Sequence, residues 1–226
     1  MQLKLYQPTK PSVTIQPFGG NPAYYARFLD AKGNPEKGHM GIDFQAAHAT
    51  PLPAVCDGMA RYVTDPHGGD GIYIQPHGTY DYKGGQAYFE VINWHLCSKD
   101  DPQFRPLIPT DGGSYPVKAG QLIGYTDNTG APFESSGDHL HFGLLPVGAN
   151  GLPIEPDNGF GGCIDPTPYL TNIFAGDANK VAEVVSAAAS IVPAVAVSNL
   201  PTQTKLDFLS KVAQFLTYLL NVLKLE

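Results

Sequence analysis

The sequence is poor in charge, in cysteine and in unbroken apolar runs. Charged residues make up 15 % of the chain, and 14 Lys and Arg face 21 Asp and Glu, for a formal net charge of −7. An acidic chain with so few cations is badly suited to gripping phosphate backbones, so no nucleic-acid partner is expected. The three cysteines, Cys56, Cys97 and Cys163, include no Cys-x-x-Cys pair. This spacing argues against a thiolate zinc site, and the odd count argues against a disulfide framework. Their expected role is as small buried hydrophobes, with one disulfide left open. The N-terminal residues Met1 to Pro8 lack the apolar core of a signal peptide. The longest apolar-leaning stretch, 181–197, is interrupted by Glu183, by serines and by Pro193, which makes it too short and too broken for a transmembrane span.

Glycine and proline are abundant instead, at 25 and 21 residues. With low charge and 42 % hydrophobic residues, they indicate a globular, loop-rich β protein. Short apolar runs separated by turn signals place strands at 53–63, 71–76, 86–95, 121–126 and 139–146. Two long interruptions, 98–114 and 147–163, are either functional loops or surface decoration. Composition changes after Gly176. Residues 177–200 form an Ala/Val/Ser-rich linker or helix. In 201–226, Leu209, Val212, Ala213, Leu216, Leu219, Leu220 and Leu223 recur at helical spacing, so a C-terminal amphipathic helix is expected. Its stripe would pack on the domain or on a second copy.

Histidine placement carries the chemistry. His139 and His141 flank Leu140 in an apolar strand, so both rings share one face while Leu140 and Phe142 share the other. Two such histidines either serve a site or satisfy each other inside the core; the pair alone does not decide. His39 and Asp43 offer an imidazole and a carboxylate four residues apart, with Gly41 between them to let the chain bend. Three N/O ligands plus a water describe a catalytic zinc site. His95 ends the apolar run Val91-Ile92-Asn93-Trp94. His48, His67 and His77 read as an exposed loop, a turn and a strand end.

In order, Gly38-His39-Met40-Gly41-Ile42-Asp43, Trp94-His95-Leu96, Val117 to Gly124, Asn128-Thr129-Gly130 and Gly137-Asp138-His139-Leu140-His141-Phe142 resemble the lysostaphin/LytM-type zinc endopeptidases. The resemblance runs over about 15–172, from Gln16-Pro17-Phe18-Gly19-Gly20 to Ile164-Asp165-Pro166 and beyond. It implies an antiparallel β-sheet with a loop-walled groove. It also implies Zn2+ held by His39, Asp43 and His141, catalytic roles for His95 and His139, and hydrolysis of peptide bonds in bacterial peptidoglycan. Some relatives carry a tyrosine beside the metal; Tyr24 and Tyr25 are candidates that no motif aligns. The two long loops exceed those of a minimal domain. Two other readings share these residues: a non-catalytic wall-binding or activating module, and a phage virion or tail lysin whose C-terminal helix contacts other virion proteins. All place the chain at the bacterial cell wall.

Overall fold

The computed structural model describes residues 1–30, 32–178 and 180. The expected linker and C-terminal helix therefore lie outside the described residues, apart from Asp177, Ala178 and Lys180. Within the described residues the protein is mainly β. In chain order the strands are β1 (Leu5–Gln7), β2 (Thr14–Gln16), β3 (Ile42–Gln45), β4 (Pro51–Pro53), β5 (Gly58–Thr64), β6 (Asp70–Pro76), β7 (Tyr80–Tyr82), β8 (Gly85–Trp94), β9 (Tyr115–Val117), β10 (Leu122–Tyr125), β11 (His139–Val147) and β12 (Leu170–Phe174). One short helix, α1 (Pro22–Tyr25), opens on a proline, whose fixed φ suits a first helical turn.

The main sheet runs β2-β3-β11-β8-β6-β5-β9, with β7 on β8, and its pairs are antiparallel. A two-stranded β4–β10 ribbon is also antiparallel, and β1 pairs with β12 in parallel. The sequence shows why one face of the main sheet is core. In β8, Ala87, Phe89, Val91 and Asn93 are buried, while Tyr88, Glu90, Ile92 and Trp94 alternate with them, half-buried. In β11, Leu140, Phe142 and Leu144 are fully buried, and in β6 so are Ile72 and Ile74. These side chains join Leu5, Leu52, Val55 and Ile123 in one hydrophobic cluster. Each fully buried Phe, Leu or Ile contributes about 1.5–3 kcal/mol through removal of apolar surface from water.

The opposite face, where the resemblance implies a groove, is half-buried. Cross-strand register carries Arg61 to Tyr73, Tyr73 to Ile92, and Trp94 to His141 and then Asp43. Directly opposite residues of an antiparallel pair share a face, so these side chains line one surface. Trp94 needs its space: a Cβ on Gly71 would lie 2.0 Å from the indole ring. Gly71→Ala is expected to displace Trp94 and cost about 1–3 kcal/mol by overpacking, measured as a lower urea midpoint at unchanged slope.

The expected strand 53–63 is in fact two strands. Residues 54–57 turn between β4 and β5, so the apolar run Ala54-Val55-Cys56 fills the core from a bend. The short strands β1, β2, β3, β7, β9 and β12 lack enough alternation to be read locally, and neighbours define them. All three cysteines are buried and free. The long segment 98–114 is irregular, and 147–163 is irregular after the last residue of β11. No helix among the described residues is long and apolar enough to cross a membrane.

Candidate metal centre and its flanking histidines

The register of β3 on β11 sets Asp43 opposite His141 and Gln45 opposite His139. His39 arrives from the loop before β3. Gly38 allows this loop to pass, since a Cβ there would lie 2.4 Å from the carbonyl oxygen of Gly19. The loop is latched on both sides, with Gly19 N donating to His39 O at 2.8 Å and His39 N to Gly20 O at 2.9 Å. Gly41 has a similar steric role, because a Cβ there would sit 2.8 Å from the His141 ring.

Three ligand-type atoms converge. His39 Nε2 lies 2.9 Å from His141 Nδ1, and both lie 3.1 Å from Asp43 Oδ1. A tetrahedral zinc with bonds of about 2.0–2.1 Å would place its ligand atoms about 3.3 Å apart. The triangle fits after a few tenths of an ångström of expansion. Its chemistry also asks for a cation. Asp43 ionised is acceptor-only, and each neutral imidazole brings one proton to two nitrogens. No arrangement of those protons satisfies all three close contacts, whereas a single cation between them does. His39 Nδ1, the ring's other nitrogen, is buried without a partner. That costs about 1–3 kcal/mol and leaves Nε2 held at the cluster.

Electrostatics keep the cluster in ligand form. Burial pushes the Asp43 carboxyl up, but hydrogen bonds from His141 and His39 outweigh it and hold the group well below the usual carboxylate range. Burial lowers His141, against the opposing pull of Asp43. The site thus holds a carboxylate and a neutral imidazole, the protonation states that ligation requires.

His95 and His139 stand beside this triangle. Their ring centroids are 4.6 Å apart, and the His95 ring lies 6.1 Å from that of His141. His95 follows the last residue of β8 at φ 61°, a left-handed backbone that is uncommon outside glycine and turns the chain out of the sheet. Its Nδ1 lies 2.7 Å from Thr129 O, and His139 Nδ1 lies 2.7 Å from Gly137 O. A carbonyl only accepts, so each Nδ1 carries the proton and each Nε2 keeps a free lone pair. His139 Nε2 is 3.6 Å from Asp43 Oδ1. All five residues singled out in the sequence therefore meet in one place, while His77 is exposed past the end of β6 opposite to the Gly71–Trp94 pair and His67 is exposed beside the Phe133 ring, 5.9 Å away.

Burial, followed by the charge of His141, lowers His95 from its ordinary 6.5 to about 4. Between those values the unfolded chain binds a proton that the folded chain refuses. Stability therefore rises with pH across the window and is lost as pH falls from about 6.5 toward 4. A shift of this size corresponds to about 3 kcal/mol. In metal-stripped protein, the urea midpoint is expected to drop over this range, and to drop less in His95→Asn.

Tyr25 is the neighbour that no motif aligned. It ends α1, and its ring lies 5.5 Å from that of His39. Its hydroxyl accepts from Gln16 Nε2 at 3.1 Å. Burial, then the charge of Asp43, raises its phenol to about 12, so it remains a proton donor. The only sequence signal was the Tyr24-Tyr25 pair itself; α1 decides which of the two turns inward.

No family model matches the chain. Over 118 residues it is 29 % identical to an uncharacterised metalloprotease of Haemophilus influenzae, a match covering 52 % of this chain and 20 % of that protein. The chain thus spans about a fifth of the length of the curated relative it matches. Among solved structures it is similar to LytU, at 25 % identity over 70 % of this chain and 83 % of that one, with a TM-score of 0.43. It is also similar to the catalytic domain of lysostaphin from Staphylococcus simulans, at 24 % identity over 59 % and 79 %, with a TM-score of 0.41. The chain resembles peptidases of the lysostaphin and LytM type, the type its ordered motifs already indicated.

Proposed function

We propose that the protein is a zinc-dependent endopeptidase that hydrolyses peptide bonds in bacterial peptidoglycan, at the cell wall. The observation that carries this reading is the convergence of His39 Nε2, Asp43 Oδ1 and His141 Nδ1 within about 3 Å, with two further imidazoles at their side. Zinc held there would supply a Lewis acid and a water with a pKa of about 7.

The remaining steps belong to this chain's own groups. His95 and His139 each offer a lone pair at Nε2, and a proton taken there from a nucleophilic water can be returned to the leaving amine. The carbonyls of Thr129 and Gly137 fix both rings and stabilise the charge that forms on protonation. Tyr25 keeps its phenolic proton and is the donor available to the oxygen of the scissile carbonyl as that oxygen gains charge. Trp94, Ile92 and Tyr73 provide an apolar groove floor for an extended peptide.

The test is digestion of purified peptidoglycans of different cross-link types, with mass analysis of the products. New amino termini at one kind of bond, abolished by chelation and restored by zinc, are expected; intact polymer in every case would refute the proposal. Tyr25→Phe is expected to lower turnover about 10²-fold, the scale of one lost oxyanion donor, with little change in KM.

A further inference from the structure

A second cluster of metal-type donors lies next to His95 and His139, to which Asp127 is joined through the backbone. His48 follows β3, Cys97 follows β8 and Asp127 follows β10, so three separate parts of the chain meet there. Their imidazole, thiol and carboxylate ligand atoms all lie within 4.8 Å of one another. We propose that His48, Cys97 and Asp127 form a second divalent-metal site, suited to a borderline transition ion of the zinc type, that holds in place the segment between the two catalytic histidines.

The surrounding backbone presets this geometry. Ala49 N donates to Thr126 O at 2.8 Å, Thr126 N to Thr50 O at 3.0 Å and Cys97 N to Tyr125 O at 2.9 Å, so the three segments are already laced together. His48 Nδ1 lies 2.9 Å from Asp127 Oδ1. Cys97 is 1 % exposed, and its thiol donates weakly to Thr126 O at 3.3 Å. Further negative charge surrounds the cluster. Asp138 Oδ2 accepts from His48 N at 3.2 Å, and burial, then the charges of Asp127 and Asp101, push the Cys97 thiol up to about 12, so it keeps its proton until a cation displaces it.

Thiolate, imidazole and carboxylate together suit zinc better than calcium or magnesium, which take oxygen ligands. Zinc–sulfur bonds of about 2.3 Å and zinc–nitrogen bonds of about 2.0 Å need the donors closer than their outer limit here. The exposed His48 side chain is free to supply that movement. On binding, the Sγ–H proton leaves to solvent and a sulfur–metal bond replaces it, with no change of oxidation state. A water completes four-coordination.

The site has a direct link to the groove. Asp127 N donates to His95 O at 2.8 Å, and His139 N donates to Asp127 O at 3.4 Å. An ion gripping the Asp127 carboxylate would steady the strand segment that spaces the two histidines.

Cobalt loading of the full chain tests this independently of any peptidase activity. The first cluster has only nitrogen and oxygen donors, so a thiolate-to-cobalt absorption band in the near ultraviolet can come only from a cysteine site. Two bound equivalents and that band are expected. His48→Ala, on an exposed loop with the fold checked by circular dichroism, should lose the band and one equivalent, and so should Cys97→Ser. His39→Ala should keep the band and lose the other equivalent. A single equivalent without the band, or a band that survives His48→Ala or Cys97→Ser, would overturn the proposal.

Discussion

His39→Ala, Asp43→Ala and His141→Ala are each expected to empty the first cluster of metal and to reduce peptidoglycan cleavage to background. The reason is the closeness of the triangle, whose sides are 2.9 and 3.1 Å. Each atom is both a ligand and the nearest neighbour of the other two. Removing one leaves two donors, which cannot enclose an ion. The loss in affinity should exceed the roughly 10–100-fold typical when only a supporting partner of a ligand is removed. Asp43→Ala should have the largest effect. It deletes the only negative charge of the triangle and leaves two neutral imidazoles, which can hydrogen-bond to each other instead of holding a cation. Metal analysis after dialysis against a weak chelator, together with release of peptide termini, measures both effects. His77→Ala is the matched control, since His77 is exposed and remote from the cluster. A ligand variant that retains a full equivalent at this cluster would remove that residue from the ligand set.

His139→Ala and His95→Asn should behave differently: metal retained, turnover lowered by about 10²–10⁴-fold, the usual worth of positioned acid–base groups. Asparagine is chosen at 95 because it tolerates the left-handed backbone that His95 occupies at φ 61°. The substitution therefore tests the ring without adding backbone strain. Both imidazoles already have Nδ1 committed to a carbonyl, so what the variants lose is the lone pair at Nε2. KM should change less than kcat, because these groups act on the reacting atoms more than on the bound ground state. Near-normal turnover in either variant, with metal bound, would leave that histidine without a catalytic part.

Much of this was legible in the sequence because it depends on local periodicity. Apolar runs between turn signals placed strands at 86–95 and 139–146, close to the observed β8 and β11, and in the second of them the alternation set Leu140 and Phe142 toward the core. The two-residue spacing of His139 and His141 placed both rings on one side. Other features were illegible for equally physical reasons. The run through Ala54, Val55 and Cys56 is apolar like a strand, yet it is a bend, because burial demands apolar residues whatever the backbone does. His48 and Cys97 read as a loop histidine and a core thiol. Each is that, and only the lacing of three loops brings them within reach of Asp127.

The sequence by itself determined which residues can act as ligands and that His139 and His141 share one face of their strand, since a strand's two-residue repeat is a property of the covalent chain. Only the tertiary structure decided which faces meet. The antiparallel register of β3 on β11 sets Asp43 against His141. The left-handed turn at His95 swings a third histidine under the first pair, and α1 brings Tyr25 against His39. These are contacts between residues up to 102 positions apart. Pairing energies and loop closure set them, and neither is written in any local stretch of the chain.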